Sequence, residues 1–235
     1  MDTGLILIKK MSQHFLHIPA LLEAKEIESI LSLSANAEFV DGKMTASMAA
    51  KEAKNNLQIT ATHESLATIH DILNHAIQSS PLFNIAALPK TVYPFLISKY
   101  GKGHYYGWHV DSPVMGQPPI RTDLAMTVFL SDPSTYEGGE LLIQVGGNTT
   151  AFKPAKGDAI LYPCQYLHCV NEISAGERLA AVTWVQSHVK DPAQRQLLYQ
   201  LNQIHASLYQ QAPNAAETNL LLQTHSNLFR MWADL

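Results

Sequence analysis

Cysteine is scarce: the 235 residues contain two, Cys164 and Cys169. Two thiols cannot build a disulfide framework, and a reducing cytoplasm is the simplest compartment for such a chain. Long apolar runs are missing as well. No stretch approaches the ~20 residues that a membrane helix requires. Leu5-Ile6-Leu7-Ile8 is apolar but short, and Lys9-Lys10 follows it, whereas a signal peptide places its charge ahead of a longer apolar stretch. Residues 1–10 read as an irregular N-terminal extension, with Met11 as an alternative start. Positive charge is not in excess either. The formal net charge of −4 gives no electrostatic reason to expect a nucleic-acid partner. Internal repeats and low-complexity tracts are also absent.

What is present is an ordinary globular composition, 46% hydrophobic and 15% charged, in a chain long enough to bury a sizeable core. Pro19 to Ser34 follows a short lead-in strand and places Leu21, Leu22, Ile27, Ile30 and Leu31 roughly at helical spacing. Thr62 to Ser79 predicts a second helix with Leu66, Ile69, Leu73 and Ile77 on one face, ended by Pro81. His63, His70 and His75 on or near it show no repeated i, i+4 spacing and read as surface or packing residues. Between the helices, Phe39 to Asn56 mixes small residues with a polar run, and a solvated loop is its simplest reading.

From Thr91 the texture changes to short strands. Phe95–Tyr100, Leu124–Leu130, Glu140–Val145, Thr149–Lys153, Asp158–Tyr162, His168–Ile173 and Arg178–Gln186 are rich in β-branched and aromatic residues, with turn residues between them. Closely spaced strands of this kind point to a sandwich or jelly roll. After Asp191-Pro192 the period is helical again, over residues 192–210 and 215–233.

One stretch concentrates the chemistry: Tyr100 to Asp111, ending His109-Val110-Asp111. On a strand, positions i and i+2 project to one face, so the His109 imidazole and the Asp111 carboxylate can converge. They supply two thirds of a facial triad, the set that binds Fe(II) and leaves positions open. The third ligand must be a distant histidine on another strand, and His168 is the best candidate. Ten residues after it stands Arg178, whose planar fork suits a bidentate grip on a carboxylate. For Arg178 alone, a surface salt bridge with Glu177 or Glu172 is the competing reading.

In this order the residues carry a resemblance. Tyr100, Gly103, Tyr106, His109 and Asp111 fit Tyr-x-x-Gly-x-x-Tyr-x-x-His-x-Asp. Further matching segments are Val40-Asp41-Gly42, Lys54-Asn55-Asn56, Arg121-Thr122-Asp123-Leu124, Tyr136-Glu137-Gly138-Gly139-Glu140-Leu141, Gly157 to Pro163 and Gly176-Glu177-Arg178. The chain resembles the Fe(II)- and 2-oxoglutarate-dependent dioxygenases of the prolyl 4-hydroxylase superfamily, and more narrowly the bacterial PKHD-type hydroxylases, over about residues 12–235. Arg178, where animal prolyl hydroxylases carry lysine, supports the narrower group.

The resemblance implies a mainly β fold with flanking helices. It is a double-stranded β-helix (jelly roll) over 91–188, with an N-terminal helical region at 11–90 and a C-terminal one at 189–235. It implies His109, Asp111 and His168 as iron ligands. Arg178, with Tyr100 as a second donor, would hold the distal carboxylate of 2-oxoglutarate. L-ascorbate would be the reductant. The reaction implied is hydroxylation of an unactivated C–H with decarboxylation of 2-oxoglutarate to succinate and CO2. The partners implied are 2-oxoglutarate, O2 and a small-molecule or peptidyl substrate, with self-association open and a link to iron uptake. Gly138-Gly139 would turn beside the site. Trp108 and Trp184 read as core, and of Tyr105 and Tyr106 one should face the cavity and the other the core. Cys169 should face away from the metal. Two other readings share these features: a non-catalytic jelly-roll module that binds or senses iron or 2-oxoglutarate, and an AlkB-type demethylase. The second normally carries another arginine six residues after the first, where this chain has Trp184.

Overall fold

A computed structural model of the chain describes residues 15–45 and 48–235. The N-terminal extension at 1–10 and Met11 lie outside the described residues. In chain order, strand β1 (Leu16–Ile18) precedes helix α1 (Ala24–Ala35) and strand β2 (Phe39–Asp41). Helix α2 (Met48–Ala53) leads into β3 (Lys54–Asn55) and β4 (Leu57–Ile59), and then come helices α3 (Ser65–Ser79) and α4 (Pro81–Ala87). Strands β5 (Pro89–Val92), β6 (Leu96–Tyr100), β7 (Tyr105–His109), β8 (Val114–Met115), β9 (Ile120–Arg121) and β10 (Leu124–Phe129) follow. Next are β11 (Tyr136–Gly138), β12 (Leu141–Val145), β13 (Asn148–Phe152), β14 (Ala159–Pro163), β15 (Leu167–Val170), β16 (Ile173–Gly176) and β17 (Arg178–Ser187). Helices α5 (Pro192–Gln211) and α6 (Ala216–Trp232) end the chain.

The strands pair antiparallel in two principal sheets, the double-stranded β-helix that the resemblance implied. The larger runs β1-β14-β10-β17-β6-β4-β2, with β5 also on β17, and the smaller runs β13-β12-β15-β7-β3. Segments ahead of residue 91 therefore extend both sheets. Alternation decides what each face does. On the large sheet, Met126, Val128, Leu161, Ile97, Leu179 and Ala181 point outward into one apolar cluster with Ile27, Ile30, Ile69, Leu73 and Phe83 of the helices. Their alternates Ala125, Phe129, Ile160 and Tyr162 point inward and pack on Leu141 and Ile143 of the small sheet. Strand β10 is buried along its whole length because it is covered on both faces.

Pro81 ends α3 as expected and also opens α4, where a missing N–H costs nothing, while Ser80 Oγ accepts from Phe83 N. Asp191 caps α5 in the same way, accepting from the backbone N–H groups of Ala193 and Gln194. His70 is a packing residue whose Nε2 donates to the Phe95 carbonyl at 2.8 Å. The loop reading of Phe39–Asn56 is corrected: the described part of the segment is strand, 3-10 turn, helix and strand. Its strands pair with β4 and β7, a tertiary effect that local composition does not reveal.

Ile69 is fully buried between α3 and the large sheet. Ile69→Ala should cost about 2–5 kcal/mol of stability in urea denaturation. A loss below about 1 kcal/mol would show that the helical layer is not packed on the sheet as described.

Candidate active site

Strands β7 and β15 set two imidazoles side by side. Their register pairs His109 with His168, and the rings lie 4.2 Å apart between centroids. Each Nδ1 points at a carbonyl two residues back in its own chain segment. Nδ1 of His109 donates to Gly107 O at 2.8 Å, and Nδ1 of His168 donates to Tyr166 O at 2.9 Å. A carbonyl can only accept, so the proton is on Nδ1 and the Nε2 lone pair is left for a ligand. Asp111 brings Oδ2 to 3.8 Å from His168 Nε2. One donor atom from each of His109, Asp111 and His168 lies within 4.8 Å of the others.

A bulge makes this arrangement possible. Val170 pairs with Tyr106 and His168 with His109, so three steps on β7 match two on β15. The extra residue brings Tyr106 and His109 to one face, which a regular strand would separate. Their rings stack at 3.6 Å with 13° between planes, which fixes the His109 imidazole. Burial pulls the His109 pKa down to about 3, with the neighbouring His168 adding to the shift. Burial pushes the Asp111 carboxyl up, and His168, then Trp184 and Cys164, pull it back.

Asp111 Oδ2 is buried with no hydrogen-bond partner. Leaving such an atom unmet is costly. A cation bound by two neutral imidazoles and this carboxylate would satisfy it, so the donor set fits Fe(II).

A second group of unmet atoms faces the same cavity. Register pairs Arg178 on β17 with Tyr100 on β6, and both side chains line the cavity with the three donors. Arg178 is 1% exposed, and its Nε and Nη2 have no partner. Its guanidinium lies 5.1 Å from the Tyr100 ring and 5.2 Å from that of Phe129. Neither Glu172 nor Glu177 pairs with it among the described residues, so the surface salt bridge is set aside. Removing a guanidinium from water without a counter-ion costs several kcal/mol, and a carboxylate from a bound dicarboxylate would offset that. Burial pushes the Tyr100 phenol pKa up, so it stays a neutral donor. Gly139 makes room here: its φ is +69°, and a Cβ on it would lie 3.0 Å from Arg178 Cδ. A larger groove of about 520 Å³ opens elsewhere, beside Leu16, Leu161 and Pro192. It contains no comparable donor set, so the chemistry belongs to the inner cavity.

Comparisons with known proteins agree with this geometry. Residues 95–186 match the family model of the 2OG-Fe(II) oxygenase superfamily, and residues 192–234 match the PKHD-type hydroxylase C-terminal domain. A PKHD-type hydroxylase of a Picosynechococcus species is 39% identical over 94% of this chain and 100% of its own length. The chain belongs to the PKHD-type hydroxylases. A Pseudomonas putida PKHD-type hydroxylase is 40% identical over 94% of this chain and 99% of its own. Among solved structures, a Burkholderia pseudomallei oxidoreductase of the 2OG-Fe(II) oxygenase family aligns with TM-score 0.52 at 18% identity, covering 74% of this chain and 84% of that one. A prolyl hydroxylase from Trichoplax adhaerens aligns with TM-score 0.52 at 15% identity, over 80% and 87%. At those identities the likeness shows the fold. Membership makes this PKHD-type hydroxylase a 2-oxoglutarate-dependent dioxygenase, and the family implies Fe(II), 2-oxoglutarate and O2.

Three expectations for this hydroxylase are corrected. Trp108 is 45% exposed, because it alternates with the inward-facing His109 and so lies on the outer face of the small sheet. Trp184 packs on the inner apolar cluster, as expected, but it also lines the cavity and so is not closed core. Tyr106 faces the cavity, but Tyr105 faces solvent at 38% exposure, not the core. Cys169 is buried and takes no part in the donor cluster. Sequence reasoning gave no role to Lys54 and Asn56. Both are buried and line the same cavity, and the matching Lys54-Asn55-Asn56 segment was the available signal. Burial pulls Lys54 down to about 8, while Asp41 and Asp111 push the other way.

In metal-free hydroxylase at pH 5, His109 should remain neutral with its proton on Nδ1, as imidazole nitrogen shifts in NMR would report. The folded pKa lies below the unfolded value, so the unfolded chain binds more protons between them. The contribution of His109 to stability is therefore full above about 6.5 and is lost as pH falls towards about 3. A doubly protonated ring at pH 5 would contradict the buried, carbonyl-bound geometry.

Proposed function

We propose that this PKHD-type hydroxylase holds Fe(II) through His109 Nε2, Asp111 and His168 Nε2, and grips the distal carboxylate of 2-oxoglutarate with Arg178 and the Tyr100 hydroxyl. The supporting observation is that two sets of buried, unsatisfied polar atoms face one cavity, one anionic with two lone pairs and one cationic. When bound, Fe(II) and 2-oxoglutarate supply the oxidising chemistry: O2 is consumed, 2-oxoglutarate is decarboxylated to succinate and CO2, and a substrate C–H is hydroxylated.

The chain's own residues position and shield. The carbonyls of Gly107 and Tyr166 hold both imidazoles in the tautomer that presents Nε2. Tyr106 clamps His109 by stacking, and Tyr162 meets His168 edge-on at 5.1 Å. Arg178 orients the cosubstrate by a charge-assisted fork. Tyr162, Val182, Leu141 and Trp184 line the cavity and exclude water. We read residues 91–188 as the dioxygenase unit, with 11–90 and 189–235 packed on it. L-ascorbate as reductant and a link to iron uptake rest on the family resemblance. Two free, buried cysteines fit a reducing cytoplasm, and no helix among the described residues is long and apolar enough to cross a membrane.

Anaerobic titrations of the Fe(II) protein test this reading. His109→Ala and His168→Ala should each lose stoichiometric Fe(II) binding, while circular dichroism shows an intact fold. Unchanged iron affinity in both variants would refute the ligand set.

A separate titration addresses the cosubstrate. Adding 2-oxoglutarate to the Fe(II) protein should produce a metal-to-ligand charge-transfer band. Arg178→Ala should weaken that binding by at least about ten-fold and Arg178→Lys by less, because lysine keeps the charge without the fork. Iron affinity should change little in either. An Arg178→Ala protein that binds 2-oxoglutarate as tightly as wild type would remove Arg178 from the site.

A further inference from the structure

Lys54 has no part in the chemistry above, yet it lines the same cavity as the three metal-ligand candidates. Strand β3 places it opposite Tyr106 on β7, and its Nζ lies 5.3 Å from the centre of the ring that stacks on His109. The residue is 5% exposed. An ammonium has three donors, and one is occupied: Nζ donates to Thr45 Oγ1 at 2.9 Å. That hydroxyl donates onward to Gln58 Oε1, and Gln58 Nε2 donates to Ser98 Oγ at 3.0 Å. The chain of bonds anchors the ammonium from one side and leaves its other donors unused. No carboxylate comes within ion-pair distance of it among the described residues, although Asp41 and Asp111 act on its charge from farther off. Two residues on, Asn56 is 3% exposed; its amide faces the Tyr100 hydroxyl but makes no hydrogen bond of normal geometry.

The cavity thus carries two buried cations on opposite sheets, Arg178 on the large one and Lys54 on the small one. One 2-oxoglutarate has two carboxylates. Its distal group is matched by Arg178, and its other group belongs at the metal. A carboxylate in direct contact with Lys54 must come from elsewhere. We propose that Lys54, with Asn56 beside it, anchors the primary substrate, and that this substrate carries a free carboxylate, as an amino acid or small carboxylic acid does. An uncharged residue inside a peptide would leave Lys54 with no carboxylate nearer than the more distant Asp41 and Asp111. The inference rests on the dioxygenase reading. With a pKa of about 8, Lys54 is mostly charged near neutral pH.

The test uses anaerobic full-length protein saturated with Fe(II) and 2-oxoglutarate. The probes are the amino acids and short-chain carboxylic acids, each paired with its carboxamide, and the readout is perturbation of the charge-transfer band. Acids that perturb the band should bind at least about ten-fold more tightly than their amides. Lys54→Met should abolish that preference while 2-oxoglutarate affinity stays within about two-fold, and Lys54→Arg should restore much of it. Equal binding of acids and amides, no response to any acid, or a preference that survives in Lys54→Met would overturn the proposal. So would loss of 2-oxoglutarate binding in Lys54→Met, since Lys54 would then serve the cosubstrate. Failure of wild type to form the band at all would instead count against the dioxygenase reading.

Discussion

The pairing of β7 with β15 is the constraint on which the site depends. It sets His109 against His168, and its bulge turns Tyr106 to the same face as His109. A one-residue slip would carry each imidazole to the opposite face of the small sheet. Asp111 follows His109 by two residues and can complete the cluster only while that register holds. Flanking pairs β12–β15 and β3–β7 fix it from both sides, so the small sheet acts as one frame for the donors.

The second constraint is electrostatic. Asp111, Lys54 and Arg178 are all withdrawn from water in one cavity, and among the described residues none has an ion-pair partner at close range other than the long His168–Asp111 contact. A protein interior does not retain such groups without ligands to meet them, because the desolvation cost is several kcal/mol for each. The stability that makes this tolerable comes from the outer face of the large sheet. There α1, α3 and α4 bury a continuous apolar layer against β10, β14 and β17. Binding energy at the site and folding energy behind it are thus carried by opposite faces of the same strands.

Much of this was legible in the sequence. The His109-x-Asp111 spacing, the distant His168 and Arg178 ten residues on are local or ordered features, and period-two alternation gives the strands that bear them. Helices α1, α3, α5 and α6 were legible from their apolar spacing, within about five residues at each end, but the short α2 and α4 were not. What escaped depends on contacts between distant segments. Lys54 reads as part of a solvated polar run until β3 is paired with β7. The bulge leaves no mark that separates Tyr105 from Tyr106, and Trp108 is at the surface because, among the described residues, nothing covers the outer face of β7 there. The dual role of Gly139, a left-handed turn and clearance for Arg178, needs the β11–β16 ribbon to be seen against β17.

The site is defined spatially, by one metal between three side chains and one dicarboxylate reaching from it to Arg178. A crystal structure of the protein grown anaerobically with Fe(II) and 2-oxoglutarate measures this directly. Anomalous scattering at the iron edge should give a single peak bounded by His109 Nε2, an Asp111 carboxylate oxygen and His168 Nε2. Continuous ligand density should run from that peak to the Arg178 guanidinium. A peak elsewhere, or a 2-oxoglutarate whose distal carboxylate turns away from Arg178, would contradict the account.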